Sequence, residues 1–268
     1  MLSVPVAAWA LRAALRVTTR GRAPVTVTAA LNGGEDDPGS VVPRRHRRTR
    51  RVATNVALAA IIFAYPLLRG TAPVSYYRGL LPSGPRTAEF VHGAGLALIY
   101  LGALYAAWLA TDHVRIRPRL RRRRLGRRLA VVPFSALFGA AVEELVFRGV
   151  VQADAARAFG PTAGIAVGTL AFAAAHYARR VKRYWTFPGH AALGLVLSVA
   201  FARSGALWLP IGLHAGGIFI IMGLRPLVRY HGPPWLVGAS IFPYAGAVGV
   251  IGLLMLAGNV WLEYGVAG

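Results

Sequence analysis

The stretch AAVEELVFRGV, residues 140–150, places two adjacent glutamates and an arginine inside a run that is otherwise apolar. Comparable apolar runs recur along the chain, at roughly residues 52–68, 88–111, 129–151, 161–178, 187–202, 205–224 and 235–262. Most of these runs approach the ~20 residues that a membrane-spanning helix needs. The sequence therefore predicts an all-α, polytopic membrane protein with about seven transmembrane helices.

The chain carries a formal net charge of +22 although 56% of its 268 residues are hydrophobic. Most of its 31 Lys and Arg residues lie in alternate connectors, at residues 44–51, 115–128, 179–183 and 225–229. Because basic connectors stay on the cytoplasmic side, we expect a protein of the cytoplasmic membrane with its N-terminus in the cytoplasm and its C-terminus outside. The same connectors are expected to attract anionic lipids. Their interleaving with apolar runs argues against a nucleic-acid partner.

Residues 1–51 are predicted to form a basic cytoplasmic tail, and residues 52–268 a helical membrane domain. The opening stretch, MLSVPVAAWALRAALRV, favours an interfacial helix over a signal peptide because Arg12 and Arg16 interrupt it. A misassigned start codon is the alternative. The Gly/Pro/Asp-bearing segment that follows has no periodic apolar pattern and is predicted to be partly disordered. The chain has no cysteine, which excludes disulfides, thiolate nucleophiles and Cys-ligated zinc.

Glu143 and Glu144 are the two acidic residues well inside an apolar run. A charge near the bilayer centre costs at least roughly 2.5 to 3.5 kcal/mol on insertion scales, so such residues are usually paired or functional. Glu144 and Arg148 are four residues apart, on one helix face and within reach of an ion pair, whereas Glu143 is turned by about 100°. A purely structural lock between helices is the competing interpretation, but an ion pair does not account for the second glutamate.

Two histidines lie in other apolar runs, His176 in TLAFAAAHYARR and His214 in LWLPIGLHAGGIF. Each taken alone is typical of a hydrogen-bonded core histidine. Together with Glu143 they would supply a water-activating site, in which the glutamate accepts a proton, one imidazole orients the water and the other stabilises an oxyanion. His190 stands at the start of a run, and we expect it at the membrane interface.

Three motifs resemble those of the CPBP intramembrane proteases, the group that contains the type II CAAX prenyl endopeptidases and abortive-infection-like bacterial proteins. EELVFR is similar to the family's EExxxR, FAAAH at 172–176 to its FxxxH, and LVLSVAFARSGALWLPIGLHA at 195–215 to its third block. They occur in order within a core of about residues 129–222. The resemblance implies hydrolysis of peptide bonds within the membrane, with Glu143 and His176 activating water and His214 helping to hold the oxyanion.

The sequence departs from this family at Ile218, because the family often has Asn or Asp four residues after the last histidine. Removing such an oxyanion donor can cost roughly a hundredfold in rate. The family has been described both as metalloproteases and as glutamate-dependent hydrolases that need no metal. Glu143, His176 and His214 have the ligand types and number of a zinc site. Nothing in their spacing distinguishes that site from a metal-free one.

These features predict an intramembrane endopeptidase that acts on peptide or protein substrates in or at the membrane. Glu143 would be the general base, Glu144 and Arg148 its supporting ion pair, and His176 and His214 the groups that position water and oxyanion. Specificity for prenylated CAAX substrates does not follow from the sequence. Two alternatives stay open: a non-catalytic immunity or partner-binding protein, and a proton-coupled transporter, since intramembrane carboxylate pairs also build proton relays.

The predicted topology places two of these groups at different depths. Glu143 lies about 21 Å above the cytoplasmic start of its span, whereas His176 lies near the cytoplasmic end of the next one. The two side chains can meet only if the third helix enters the membrane later and continues beyond Val151. We therefore expect a long third helix and a site nearer the cytoplasmic side.

Overall fold

The computed structural model describes residues 44–118, 120, 122–177 and 184–265, so the predicted tail at 1–43 lies outside the described residues. The described chain is mostly helical. Its helices are α1 (Arg44–Leu68), α2 (Pro73–Leu80), α3 (Ala88–Ala110), α4 (Arg122–Glu144), α5 (Ala153–Phe159), α6 (Pro161–Tyr177), α7 (Phe187–Ser204), α8 (Trp208–Leu224), α9 (Pro234–Val237) and α10 (Ala247–Glu263). Because α1 begins at Arg44, the basic run that we assigned to the tail forms its first turns.

Two helices in the described part of the chain are long and apolar enough to cross a membrane, Pro85–Ala110 and Arg123–Phe159. A third span results if Val56–Leu68 and Pro73–Leu80, which are bent by 98°, count as one. The helices Trp208–Leu224 and Ala247–Glu263 are apolar but shorter. The protein is thus a helical membrane protein, but the predicted number of about seven spans is not confirmed.

The third apolar run forms one continuous helix over Arg123–Phe159, 37 residues in length. It consists of α4, a π-helical segment at Leu145–Gln152, and α5. This length confirms the expectation that the helix extends beyond Val151. Single π-helical turns inside α-helices occur frequently at functional sites, and here the π segment begins directly after Glu144.

The last apolar run, residues 235–262, does not form one continuous helix. The chain forms the short helix α9, a 3₁₀ turn at Pro243–Ala245, and then α10. Gly238 has φ 77°, and a Cβ there would lie 2.5 Å from the carbonyl oxygen of Phe242. A residue with a side chain would therefore be both strained and obstructed, and the glycine permits the loop at 238–246 to fold tightly.

Helix α8 lies at the centre of the bundle and packs against α3, α4 and α7. Its backbone approaches α3 closely, because a Cβ at Gly212 would lie 2.1 Å from the carbonyl oxygen of Phe90. Gly93 on α3 makes the reciprocal contact, with its Cβ position 2.4 Å from the carbonyl oxygen of Leu209. Small residues at both positions are what allow these two helix backbones to touch.

Two short strands, β1 (Val114–Ile116) and β2 (Val228–Tyr230), form an antiparallel ribbon that joins the connectors after α3 and after α8. The ribbon was not predicted, because three residues are too few to show the alternating pattern of a strand. Asp112 precedes β1 and accepts a hydrogen bond from Arg115 Nε at 2.7 Å. This bond lowers the pKa of the Asp112 carboxyl group.

Candidate active site

The five predicted site residues lie together inside the helix bundle, and none is more than 7% exposed. They come from three helices. Glu143 and Glu144 end α4, and Arg148 lies one turn later in the π segment. His176 lies in the last turn of α6, and His214 in the middle of α8.

The Glu143 carboxylate faces both histidines. Its Oε2 atom lies 3.6 Å from Nε2 of His176 and 3.7 Å from Nε2 of His214. These separations exceed those of a direct hydrogen bond. Polar atoms at such distances can be bridged by a water molecule. The arrangement therefore has the polar groups and the spacing to hold one water between a carboxylate and two imidazoles.

Both imidazoles are oriented through their Nδ1 atoms. His176 Nδ1 lies 2.9 Å from the carbonyl oxygen of Phe172, and His214 Nδ1 lies 2.7 Å from Glu144 Oε1. A carbonyl oxygen and a carboxylate oxygen can only accept, so Nδ1 carries the proton in each ring. In the neutral rings, Nε2 then presents its lone pair toward Glu143.

Glu144 and Arg148 form the buried ion pair expected from their spacing. The Arg148 Nε atom lies 3.1 Å from Glu144 Oε2, and its Nη1 donates to Oε1 at 3.2 Å. Arg148 Nη2 also donates to the carbonyl oxygen of Gly194 at 3.0 Å, and the guanidinium carbon lies 4.7 Å from the centre of the Phe172 ring. Glu144 thus connects the ion pair to His214, which sequence spacing did not indicate.

His190, which we expected at the membrane interface, is buried inside the helix bundle with only 1% of its surface exposed. Its ring stacks on that of His176, with centroids 5.2 Å apart and planes 27° from parallel. The loop at 238–246 covers the start of α7, and Phe242 packs edge-on against His190 at 5.0 Å. Gly189 permits this approach of the loop, because a Cβ there would lie 2.5 Å from the Cα atom of Ala245.

Two further buried polar residues were missed. Gln152 lies one turn after Arg148 and donates from Nε2 to the carbonyl oxygen of Ser198 at 2.8 Å. Glu144, Arg148 and Gln152 follow each other at intervals of four, and this spacing was the available signal. Asp154 is also buried and accepts from Arg157 Nη2 at 3.2 Å. The Gln152 bond fixes the long helix to α7, whereas the Asp154 bond lies within α5.

A cavity of about 90 Å³ adjoins the two histidines. Most of its walls are apolar and come from α3, α7, α8, α10 and the 238–246 loop. Ile218, where the resemblance led us to expect Asn or Asp, is one of the lining residues, and Tyr100 and Tyr244 bring phenol groups to the wall. The volume is sufficient for water and a small apolar group beside His176 and His214.

The fit of a metal ion can be judged from the side chains. Among residues 44–118, 120, 122–177 and 184–265, no group of three or more His, Cys, Asp or Glu side chains has an arrangement that could hold a metal ion. Glu143, His176 and His214 have suitable donor types for zinc. As they stand, however, they do not form a preformed zinc centre.

A buried carboxylate that faces two oriented imidazoles, at the junction of apolar membrane helices, defines a candidate water-activating site of the intramembrane type. Residues 125–220 of the chain match the family model described as Type II CAAX prenyl endopeptidase Rce1-like. The match includes all five predicted site residues and confirms the resemblance inferred from the three motifs. The core of this membrane protein is therefore similar to a family of proteases. Comparisons with curated proteins and with solved structures give no match.

Proposed function

We propose that the protein is an intramembrane endopeptidase that hydrolyses peptide bonds of substrates in or at the membrane. The observation that carries the proposal is the position of Glu143 Oε2, 3.6 and 3.7 Å from the Nε2 atoms of His176 and His214. A water among these groups would donate one O–H to the carboxylate and the other to an imidazole lone pair. The family similarity of the matched core supports the same reaction class.

Glu143 acts as the general base in the proposed reaction. It takes a proton from the water while the water oxygen bonds to the scissile carbonyl carbon. The carbon–nitrogen bond then breaks, and Glu143 returns the proton to the leaving nitrogen. One water is consumed, and the products are a carboxylic acid and an amine. The buried site strengthens each electrostatic interaction relative to bulk water.

His214 and Glu144 act together on the oxyanion. When His214 is protonated, its Nδ1–H is bonded to Glu144 and its Nε2–H faces the site. This N–H is a donor for the negative oxygen of the tetrahedral intermediate. Ile218 offers no donor, so the histidine carries a larger share of this stabilisation than in a site that has an amide there.

The lining of the cavity supports a proposal for the class of substrate. Its apolar walls beside His176 and His214 favour substrates with an apolar side chain next to the scissile bond. Such segments occur in membrane-associated peptides and protein termini. Exposed arginines at 115, 117 and 229 are the proposed contacts for anionic lipid headgroups.

The proposed topology has about seven helical segments that cross the membrane, with the N-terminus in the cytoplasm and the C-terminus outside. The β ribbon supports part of it, because Arg115 and Arg229 are register partners. This pairing supports placing the two connectors on the same side of the membrane, as the distribution of positive charge predicts. Exposed large apolar side chains on the long helices, such as Ile99 and Phe134, support contact with lipid.

The test compares the termini of membrane proteins, by mass spectrometry, in cells that carry wild-type protein or the Glu143→Gln variant at equal abundance. The control variant is Glu263→Gln, which makes the same chemical change at an exposed residue far along the chain. We expect specific termini to vanish with Glu143→Gln and to persist with the control. Identical profiles for all three folded proteins would overturn the proposal and favour a partner-binding role or a proton site.

A second measurement addresses the metal. The purified protein in lipid nanodiscs is given a peptide substrate identified from the termini, with and without a strong zinc chelator. We expect cleavage to continue in the chelator because the site groups do not form a zinc centre. Loss of cleavage that added zinc restores would assign a metal to Glu143, His176 and His214 instead.

A further inference from the structure

His190 is a buried imidazole that lies outside the three motifs, and we infer that it positions His176 for water activation. The inference rests on the proposed function, because it names a residue that acts through His176 at the same site. It is carried by the stacking of the two rings and by the hydrogen bonds that orient them. His190 itself would not touch the reacting atoms.

The surroundings of His190 are built to hold its ring in one place. Phe242 packs edge-on at 5.0 Å and Tyr244 at 5.8 Å, with interplanar angles of 72° and 88°. Gly189 allows the covering loop to approach, since a Cβ there would overlap Ala245. Burying a polar imidazole costs free energy unless it is hydrogen-bonded. The hydrogen bond to Thr186 offsets that cost at a position that contacts a site residue.

A hydrogen bond sets the orientation of the His190 ring. Its Nδ1 atom lies 2.8 Å from the carbonyl oxygen of Thr186. Because the carbonyl only accepts, Nδ1 carries the proton. His176 is bonded in the same manner to the carbonyl oxygen of Phe172, also four residues earlier in the chain. Two imidazoles with matching tautomers are therefore stacked, each anchored to its own helix.

The His176 ring packs against two other rings. The centroid of Phe172 lies 4.1 Å away with planes at 34°, and His190 stacks at 5.2 Å and 27°. Rotation of the His176 imidazole about its terminal torsion would have to displace one of these neighbours. Terminal torsions of histidine are otherwise broad. The stack therefore limits the direction in which Nε2 points, and that direction is toward Glu143.

Positioning by His190 predicts a specific kinetic result. In His190→Ala the His176 ring gains freedom, and misplacement of a catalytic group by about 1 Å can cost about a hundredfold. We expect kcat to fall about tenfold to a hundredfold, with KM changed less than about twofold. His190→Phe restores a flat ring without the Nδ1–H anchor, so its kcat should lie between those of His190→Ala and wild type.

The matched control is His231→Ala, which removes an imidazole from an exposed connector position. It should keep the wild-type kcat. A raised KM with unchanged kcat in His190→Ala would overturn the inference, because it would assign His190 to substrate binding. Equal losses in the Ala and Phe variants, in proportion to a reduced folded fraction, would overturn it as well, because they would indicate a purely structural role.

A measurement without substrate separates this inference from the proposed function. Nitrogen-15 NMR of histidine-labelled full-length protein in nanodiscs reports the tautomer of the His176 ring. We expect one tautomer, protonated at Nδ1, in wild type and a mixture in His190→Ala. An unchanged single tautomer in the variant would overturn the positioning role. If wild type cleaves nothing but the variant shows the mixture, the proposed function fails and the positioning of His176 stands.

Discussion

Substitution by Gln should affect stability and cleavage differently at Glu143 and at Glu144. The loss of stability on breaking the Glu144–Arg148 ion pair can be predicted quantitatively. Glu144→Gln removes the negative charge beside the buried Arg148 guanidinium, which also contacts the carbonyl oxygen of Gly194 and the Phe172 ring. Arg148→Met leaves the Glu144 carboxylate buried with His214 Nδ1 as its remaining donor. Breaking a buried pair on one side costs about 3 to 5 kcal/mol.

The double variant Glu144→Gln/Arg148→Met removes both charges while it keeps an acceptor for His214 and fills most of the arginine volume. Its loss of stability should be close to that of one single variant. If the two single losses sum to about 6 to 10 kcal/mol, the double variant should fall short of the sum by at least about 2 kcal/mol. That difference is the coupling energy between the two side chains.

The assay is equilibrium unfolding of the purified protein in mixed micelles, with increasing mole fraction of a denaturing detergent. Glu143→Gln is the reference, because it changes the proposed base and leaves the ion pair intact. We expect it to lose cleavage with a smaller loss of stability than Glu144→Gln. Losses that add within about 0.5 kcal/mol would refute the reasoning, since independent residues behave that way.

Three further predictions concern the oxyanion, the topology and helix packing. Ile218→Asn adds a donor one turn after the last histidine, so kcat in a peptide cleavage assay should rise about tenfold or more; an unchanged kcat would mean that another group already fills this role. The chain has no native cysteine, so the single variants Ser83→Cys and Arg117→Cys can be labelled with an impermeant maleimide. The two cysteines should react from opposite sides of the membrane. Labelling of both from the same side would contradict the predicted alternation of the connectors. Gly212→Ala should lower the free energy of unfolding by about 1 to 3 kcal/mol, because its Cβ would overlap a carbonyl of α3. Gly102→Ala, which has nothing within 4 Å of its Cβ position, should have little effect on thermal unfolding.

The local part of the site could be predicted from the sequence because helix geometry determines it. The four-residue spacing of Glu144 and Arg148 predicts their ion pair, which is present at 3.1 Å. The same helix geometry predicts that Glu143 points in another direction and takes no part in this ion pair. The long third helix also followed, because His176 could not otherwise reach the same depth. Helical periodicity and bilayer thickness were sufficient for each of these inferences.

The rest of the site depends on contacts between distant segments. His190 looks like an interfacial residue in sequence, and only the folding of the 238–246 loop over α7 buries it beside His176. That loop lies within the apolar run at 235–262, and its apolar composition is compatible with a buried turn as well as with a transmembrane helix. The bond from His214 to Glu144 also joins segments far apart in the chain. Spacing along one helix cannot reveal such pairs.

The three-helix origin of the site has a consequence for how the protein is made. Glu144 and His214 are 70 residues apart in the chain, and His214 lies on α8. A chain emerging from the ribosome carries its glutamates and His176 well before α8 has entered the membrane. The complete set of proton-transfer groups forms only when that helix packs against α4. The proposed hydrolysis therefore requires that α8 is already in place.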